Sequence, residues 1–208
     1  GRLFPGDDDT VAQTAFDEFA RAVPGATAFS PRLPAPSSIY RVVFDALVVF
    51  ADIQAGKEGV YSWEPVPVEF PKKGGNALAD WMRLPLGGPL TVVLPGFHTA
   101  TEGGLKRYDA KTPGREMFLS ACGLMAGGTR TILLSRWRTG GQVSFDLVRE
   151  FVQELPHTTP GEAWQRAVLL ARESRIDPAT EPRVGAGTGV EPPKAEHPFF
   201  WGGYMLID

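Results

Sequence analysis

Cysteine is almost absent from this chain. Cys122 is the only one among 208 residues, which excludes an internal disulfide and any paired-cysteine metal site. Histidine is scarce too. His98, His157 and His197 are the whole supply, too few beside one sulfur to make a structural zinc centre the expectation. No metal and no cofactor is therefore expected. No apolar run approaches the roughly 20 residues that a membrane helix requires. The opening stretch, GRLFPGDDDT, lacks the basic, apolar and small-residue order of a secretory signal. An excess of positive charge is missing as well. The formal net charge is −3, and apart from Lys72-Lys73 and Arg136 with Arg138 the basic residues are dispersed, so neither nucleic acid nor membrane is an expected partner. One free thiol suits a reducing compartment, and the expected location is cytoplasmic. A chain opening at Gly1 is expected to be a domain excised from a longer protein.

Apolar residues make up 43% of the chain, enough to build one medium-sized core, and nothing marks a second domain, so residues 1–208 are read as one unit. Val11, Ala12, Ala15, Phe16, Phe19, Ala20 and Val23 recur at helical spacing behind three aspartates, and Pro24-Gly25 stops that helix. ATAF (26–29) is a short strand candidate. Residues 42–51 read as a strand buried on both faces, and FDALVVFADIQAG (44–56) carries it to an end on Asp52. GVYSWEPVPVEF (59–70) alternates, and Pro65 and Pro67 restrict it to an edge strand or hairpin. NALADWMRL (76–84) reads as a short helix capped by Asn76. Residues 90–95 and TRTILLSRW (129–137) are two further buried strands. Between them lies a helix opened by Thr112-Pro113 and closed by Gly127-Gly128, with Met117, Phe118, Ala121, Cys122 and Met125 as its buried stripe.

A helix over 142–155 turns Val143, Leu147, Val148, Phe151 and Leu155 inward. Thr159-Pro160-Gly161-Glu162 is a capping box that starts another helix. Residues 177–196, rich in proline and glycine, form a long loop, and FFWGGYMLID (199–208) closes the chain as a strand. The GAGTG at 185–189 follows no strand and lacks the lysine of a phosphate loop, so it is loop glycine. Strands alternating with helices predict an α/β domain, a three-layer α/β/α sandwich around a mainly parallel sheet.

Residues 115–141, REMFLSACGLMAGGTRTILLSRWRTGG, resemble the helix, Gly-Gly turn, strand and tryptophan-bearing strand end of CHAT domains. TPGEAWQRAVLLARES (159–174), followed by HPFFWGGYMLID (197–208), is similar to the close of that family. The resemblance implies a caspase-like fold related to cysteine peptidases, a bacterial origin and a parent chain with other domains. In active relatives one strand ends on a histidine and glycine and the next on a cysteine. This resemblance sets Asp52 and Ile53 at the first position and Phe97 and His98 at the second.

Those substitutions remove the chemistry. A peptidase of this kind needs a thiolate and an imidazole that exchanges its proton near neutral pH. Phe97 has no lone pair, and Asp52, with a reference pKa of about 3.9, stays ionised there. The expected function is therefore that of a non-catalytic pseudo-peptidase that binds or scaffolds a protein or peptide. Its contact loops are 52–56, 97–104 and 137–142, with Asp52, Gln54, His98, Thr99, Glu102 and Arg138 as binding residues. Asp52 is also read as a cap on backbone N–H groups of a neighbouring turn, and Asp52 with His98 and Glu102 makes no recognisable metal spacing. Two enzymatic alternatives stand beside this reading. One is an active cysteine peptidase using Cys122 and His98. The other is a different hydrolytic α/β enzyme using Asp52 and His98 as an acid–base pair. Against the first, Cys122 is expected to be core packing.

Overall fold

Two short runs with no exposed side chain organise the molecule. Val92, Val93 and Leu94 lie in one strand and Ile132, Leu133 and Leu134 in the next, each at most 1% exposed. Continuous burial on both faces is what a parallel strand covered on both sides requires. In the computed structural model the described residues are 10–27, 45–50, 52–54, 64–66, 89–96, 115–137, 141–177, 180–181 and 194–208. They comprise strands β1 (Ala46–Val48), β2 (Asp52–Gln54), β3 (Glu64–Val66), β4 (Thr91–Leu94), β5 (Thr131–Ser135) and β6 (Tyr204–Ile207). The helices are α1 (Thr10–Ala22), α2 (Arg115–Ala126), α3 (Gly141–Glu154) and α4 (Pro160–Glu173).

The main sheet has the order β1-β4-β5-β6. β1 and β5 run parallel to β4, and β6 runs antiparallel to β5. Parallel neighbours need a crossover, and α2 supplies it between β4 and β5. Residue alternation divides the sheet into two faces. Val48, Val93, Leu133 and Leu206 share one register row, and on their face Phe50, Val93, Leu133 and Tyr204 cluster with buried residues of α1, α3 and α4. Leu47, Val92, Ile132 and Ile207 share the adjacent row and cluster with Ala121 and Leu124 of α2 on the opposite face. Helices therefore pack on both faces of a mixed, mainly parallel sheet.

The larger cluster is rich in aromatic rings. Phe50 stacks on Phe145 at 4.4 Å between centroids and meets Phe19 edge-on at 4.8 Å. Such pairs add about 0.5–1.5 kcal/mol each beyond the area they bury. Gln153 Nε2 donates to the Ala22 carbonyl at 2.8 Å, which satisfies one of the acceptors that a helix end leaves open. The capping box of α4 forms as expected: the Thr159 side chain accepts from the Glu162 amide, and the Glu162 carboxylate accepts from the Thr159 amide.

Four expectations need revision. The first strand is less buried at Ala46–Val48 than predicted. Of residues 42–51, the described ones are 45–50; among them Ala46–Val48 form the strand, with Ala46 exposed and Val49 and Phe50 buried. Asp52 does not end that strand. It opens β2, which pairs antiparallel with β3, Ile53 opposite Pro65. Of the edge strand or hairpin expected for 59–70, the described part is Glu64–Val66, a strand of a two-stranded ribbon that leaves the unbonded side proline needs. Ala26 and Thr27 are not in a strand.

The last revision concerns α2. Cys122 is solvent-exposed, as are Phe118 (67%) and Met125 (50%), while Ala121 and Leu124 face the sheet. At 3.6 residues per turn the exposed stripe lies about 100° around the helix from the packed one. The expected helix at 76–84 lies outside the described residues.

Candidate functional site

The carboxyl ends of β1, β4 and β5 point the same way, and four further pieces of chain meet them at that rim. The amino end of β6 pairs there, Tyr204 opposite Ser135. The first turn of α3 follows the end of β5 by a few residues. The segment after α4 begins there, and residues 194–203 lead into β6. Strand ends of a parallel sheet are where ligands meet backbone groups that no ladder consumes.

Ser135 holds the rim at its centre. Its hydroxyl, on a residue with no exposed surface, donates to the Pro95 carbonyl at 2.6 Å. Pro95 and Gly96 form the turn that leaves β4, so one buried hydrogen bond ties that turn to the end of β5. Beside it the Arg136 amide donates to the Gly203 carbonyl at 2.7 Å, and the Arg136 guanidinium donates to the Gly202 carbonyl at 2.9 Å. That guanidinium also stands 5.2 Å from the Trp137 ring centre, a cation–π distance. Trp137 Nε1 donates to the Phe199 carbonyl.

Trp137 needs a neighbour without a side chain. A Cβ on Gly203 would stand 2.6 Å from the indole, inside any allowed contact. The chain before β6 is wound tightly: the Gly202 amide donates to the Pro198 carbonyl at 2.7 Å, and the Phe199 amide donates to His197 Nδ1. His197 is thereby a turn residue, as expected. His157, whose amide donates to the Glu154 carbonyl, lies in the turn between α3 and α4.

At the start of α3 stands a buried acid. Glu181 is 3% exposed, and its Oε1 accepts from the Val143 amide at 2.8 Å. Burial pushes its carboxyl up to about 7; the Val143 hydrogen bond works against that rise and the charge of Asp146 adds to it. Gly141 has φ +78° and is packed so closely that a Cβ would fall 2.2 Å from Glu181 Oε2.

The residues singled out in the sequence are described only in part. Asp52, Ile53 and Gln54 lie in β2, with backbone placement only. Phe97, His98, Thr99, Glu102 and Arg138 lie outside the described residues. Cys122 lies on the outward side of α2, away from its sheet-facing residues. Ser135, Arg136, Glu181 and Gly203 escaped the sequence reading, and Gly141 entered it only as part of the 137–142 loop. The glycine pairs Gly140-Gly141 and Gly202-Gly203 were the available signal for close backbone approach. Glu181, an acid in a proline- and glycine-rich stretch, carried none. Among the described residues no group of three or more His, Cys, Asp or Glu is placed to hold a metal ion. None of their helices is long and apolar enough to cross a membrane.

The described residues define a mixed α/β domain in which the carboxyl ends of a mainly parallel sheet gather a fixed turn, an arginine-stacked tryptophan and a buried helix cap. The family model described as "CHAT domain" matches residues 78–208, more than half of the chain, and the chain belongs to that family of caspase-like peptidase relatives. Phe97 and His98 fall inside the matched span, while Asp52 and Ile53 precede it. No curated protein and no solved structure matches.

Proposed function

We propose that this chain is a pseudo-peptidase: a three-layer, caspase-like CHAT domain whose strand-end rim binds a protein or peptide without cutting it. The apolar clusters on the two sheet faces support the three-layer reading. The non-catalytic reading rests on the turn after β4. Ser135 fixes Pro95, and the chain then continues as Phe97-His98 where the family's resemblance sets a cysteine and an acid. A phenyl ring cannot attack a carbonyl carbon, and Cys122 is the one cysteine in the sequence. What the rim retains is recognition chemistry. It has a stacked arginine, an indole and backbone groups beyond the ladder's end, the means by which an extended peptide is held. The domain is read as part of a longer bacterial protein working inside the cell, with the parent's other domains as the first partners to test.

One observation speaks for the rival peptidase, in which Cys122 is the nucleophile and His98 the base: the thiol is accessible. Against it, Cys122 lies in mid-helix, seven residues beyond Arg115 and about 10 Å along the axis. Families of this kind need the nucleophile at the strand end.

The test is titration of the isotopically labelled chain with pools of extended peptides, followed by amide resonances. Binding at the rim shifts Gly96, Arg136, Trp137 and Gln142 and leaves α2 unmoved, with the peptides recovered whole. Shifts confined to Cys122 and its neighbours, or recovery of cut peptides, would overturn the reading.

A further inference from the structure

Val143 sits in the first turn of α3, where amide groups have no partner inside the helix. Its partner is Glu181, brought in from the segment between α4 and β6 across 38 residues of sequence. Thr180 sets up the approach. Its amide and its hydroxyl both donate to the Asp177 carbonyl, at 3.0 and 2.9 Å, closing a turn that presents Glu181. Gly141 completes the fit, since only a residue without Cβ leaves room for the carboxyl.

A buried carboxyl in that place is costly when ionised. The helix terminus and one N–H favour the anion. Against them stand burial and Asp146, the charged group of α3 that faces it. Asp146 is itself surrounded by Arg149, Glu150 and, from α1, Glu18. Arg149 is engaged with Asp146 and Glu150, at 3.0 Å each. No cation among the described residues pairs with Glu181. The Val143 amide can donate to a carboxylic acid as well as to a carboxylate, so neutralisation costs the contact little.

The geometry points to a proton-linked clasp: Glu181 seats on the start of α3 as the neutral acid and is released from it on ionisation, freeing the Thr180–Glu181 corner from the strand-end rim. Linkage sets the size of the effect. The seated carboxyl titrates at about 7 and the released one at the ordinary 4.5. The seating equilibrium therefore weakens about tenfold per pH unit between those values and levels off above them. The clasp holds whatever the rim binds, so it stands or falls separately from the pseudo-peptidase reading.

The Val143 amide is a direct reporter. Its hydrogen exchange, corrected for intrinsic chemistry, is to be measured from pH 5 to pH 8 in the whole chain and in Glu181→Gln and Glu181→Ala. Protection in the unaltered chain should drop tenfold or more between pH 5 and 7 and then flatten. Glu181→Gln, which keeps an acceptor but cannot titrate, should show no such drop, and Glu181→Ala should be poorly protected throughout. A carbon-13 titration of the Glu181 carboxyl gives a second reading: its midpoint should lie above 4.5 and below 7, because release on ionisation pulls it down from the seated value. Protection independent of pH in the unaltered chain, a drop that persists in Glu181→Gln, or a midpoint near 4.5 would each overturn the clasp.

Discussion

Gly141 joins two demands that no other residue meets together. Its φ is +78°, and the space where a Cβ would sit is filled by the Glu181 carboxyl and the Thr180 carbonyl. Gly141→Ala should therefore lower stability by about 2–4 kcal/mol, backbone strain adding to displacement of the acid. Denaturant unfolding measures this, and Gly161→Ala, with open space around it, is the control expected to lie within about 1 kcal/mol. Ser135 gives a second test at this scale. Ser135→Ala leaves the Pro95 carbonyl without its buried donor, and a cost of about 1–3 kcal/mol is expected. The loss should be accompanied by shifted amide resonances at Gly96, because the turn is no longer held.

At the scale of elements, α2 shows what sequence periodicity can and cannot decide. Its end was readable from the paired glycines there, and Gly128 takes φ +102°. The packed face was not, because Phe118, Ala121, Cys122, Leu124 and Met125 spread over an arc of about 160°. Two stripes satisfy the same spacing, and only the sheet beneath selects Ala121 with Leu124. The selection is testable. Phe118→Gln should change stability by no more than about 0.5 kcal/mol, as at an uncovered position. Leu124→Ala should cost about 2–4 kcal/mol. The start of α4 was fully legible because a capping box is local chemistry, four residues whose roles need no distant partner. β1 was misjudged for the opposite reason: an apolar run does not state whether its neighbours lie on one side or two. Glu181 could not be found from sequence, since its burial depends on Gly141 and Val143 far along the chain.

For the whole molecule, the buried acid gives stability a pH dependence of definite sign. A carboxyl raised from 4.5 to about 7 by folding binds more protons in the folded state between those values. Its contribution is thus greatest below about 4.5, is lost as pH rises toward 7, and stays constant above. Global unfolding free energy of the unaltered chain relative to Glu181→Gln should fall across that window, and a flat difference would remove the acid from the balance. The α/β class and the family were legible because buried parallel strands and the closing tryptophan pattern do not depend on the catalytic residues. Family membership alone leaves open whether the rim still cuts, and the only thiol lies on the solvent side of α2.

That question is met most directly by new peptide termini. The chain and its Cys122→Ala variant are each incubated with a proteome-derived peptide pool, and the termini produced are compared by mass spectrometry. A binding domain yields the same termini in both samples as in the pool alone. Termini that form with the unaltered chain and vanish with Cys122→Ala would make it a working peptidase.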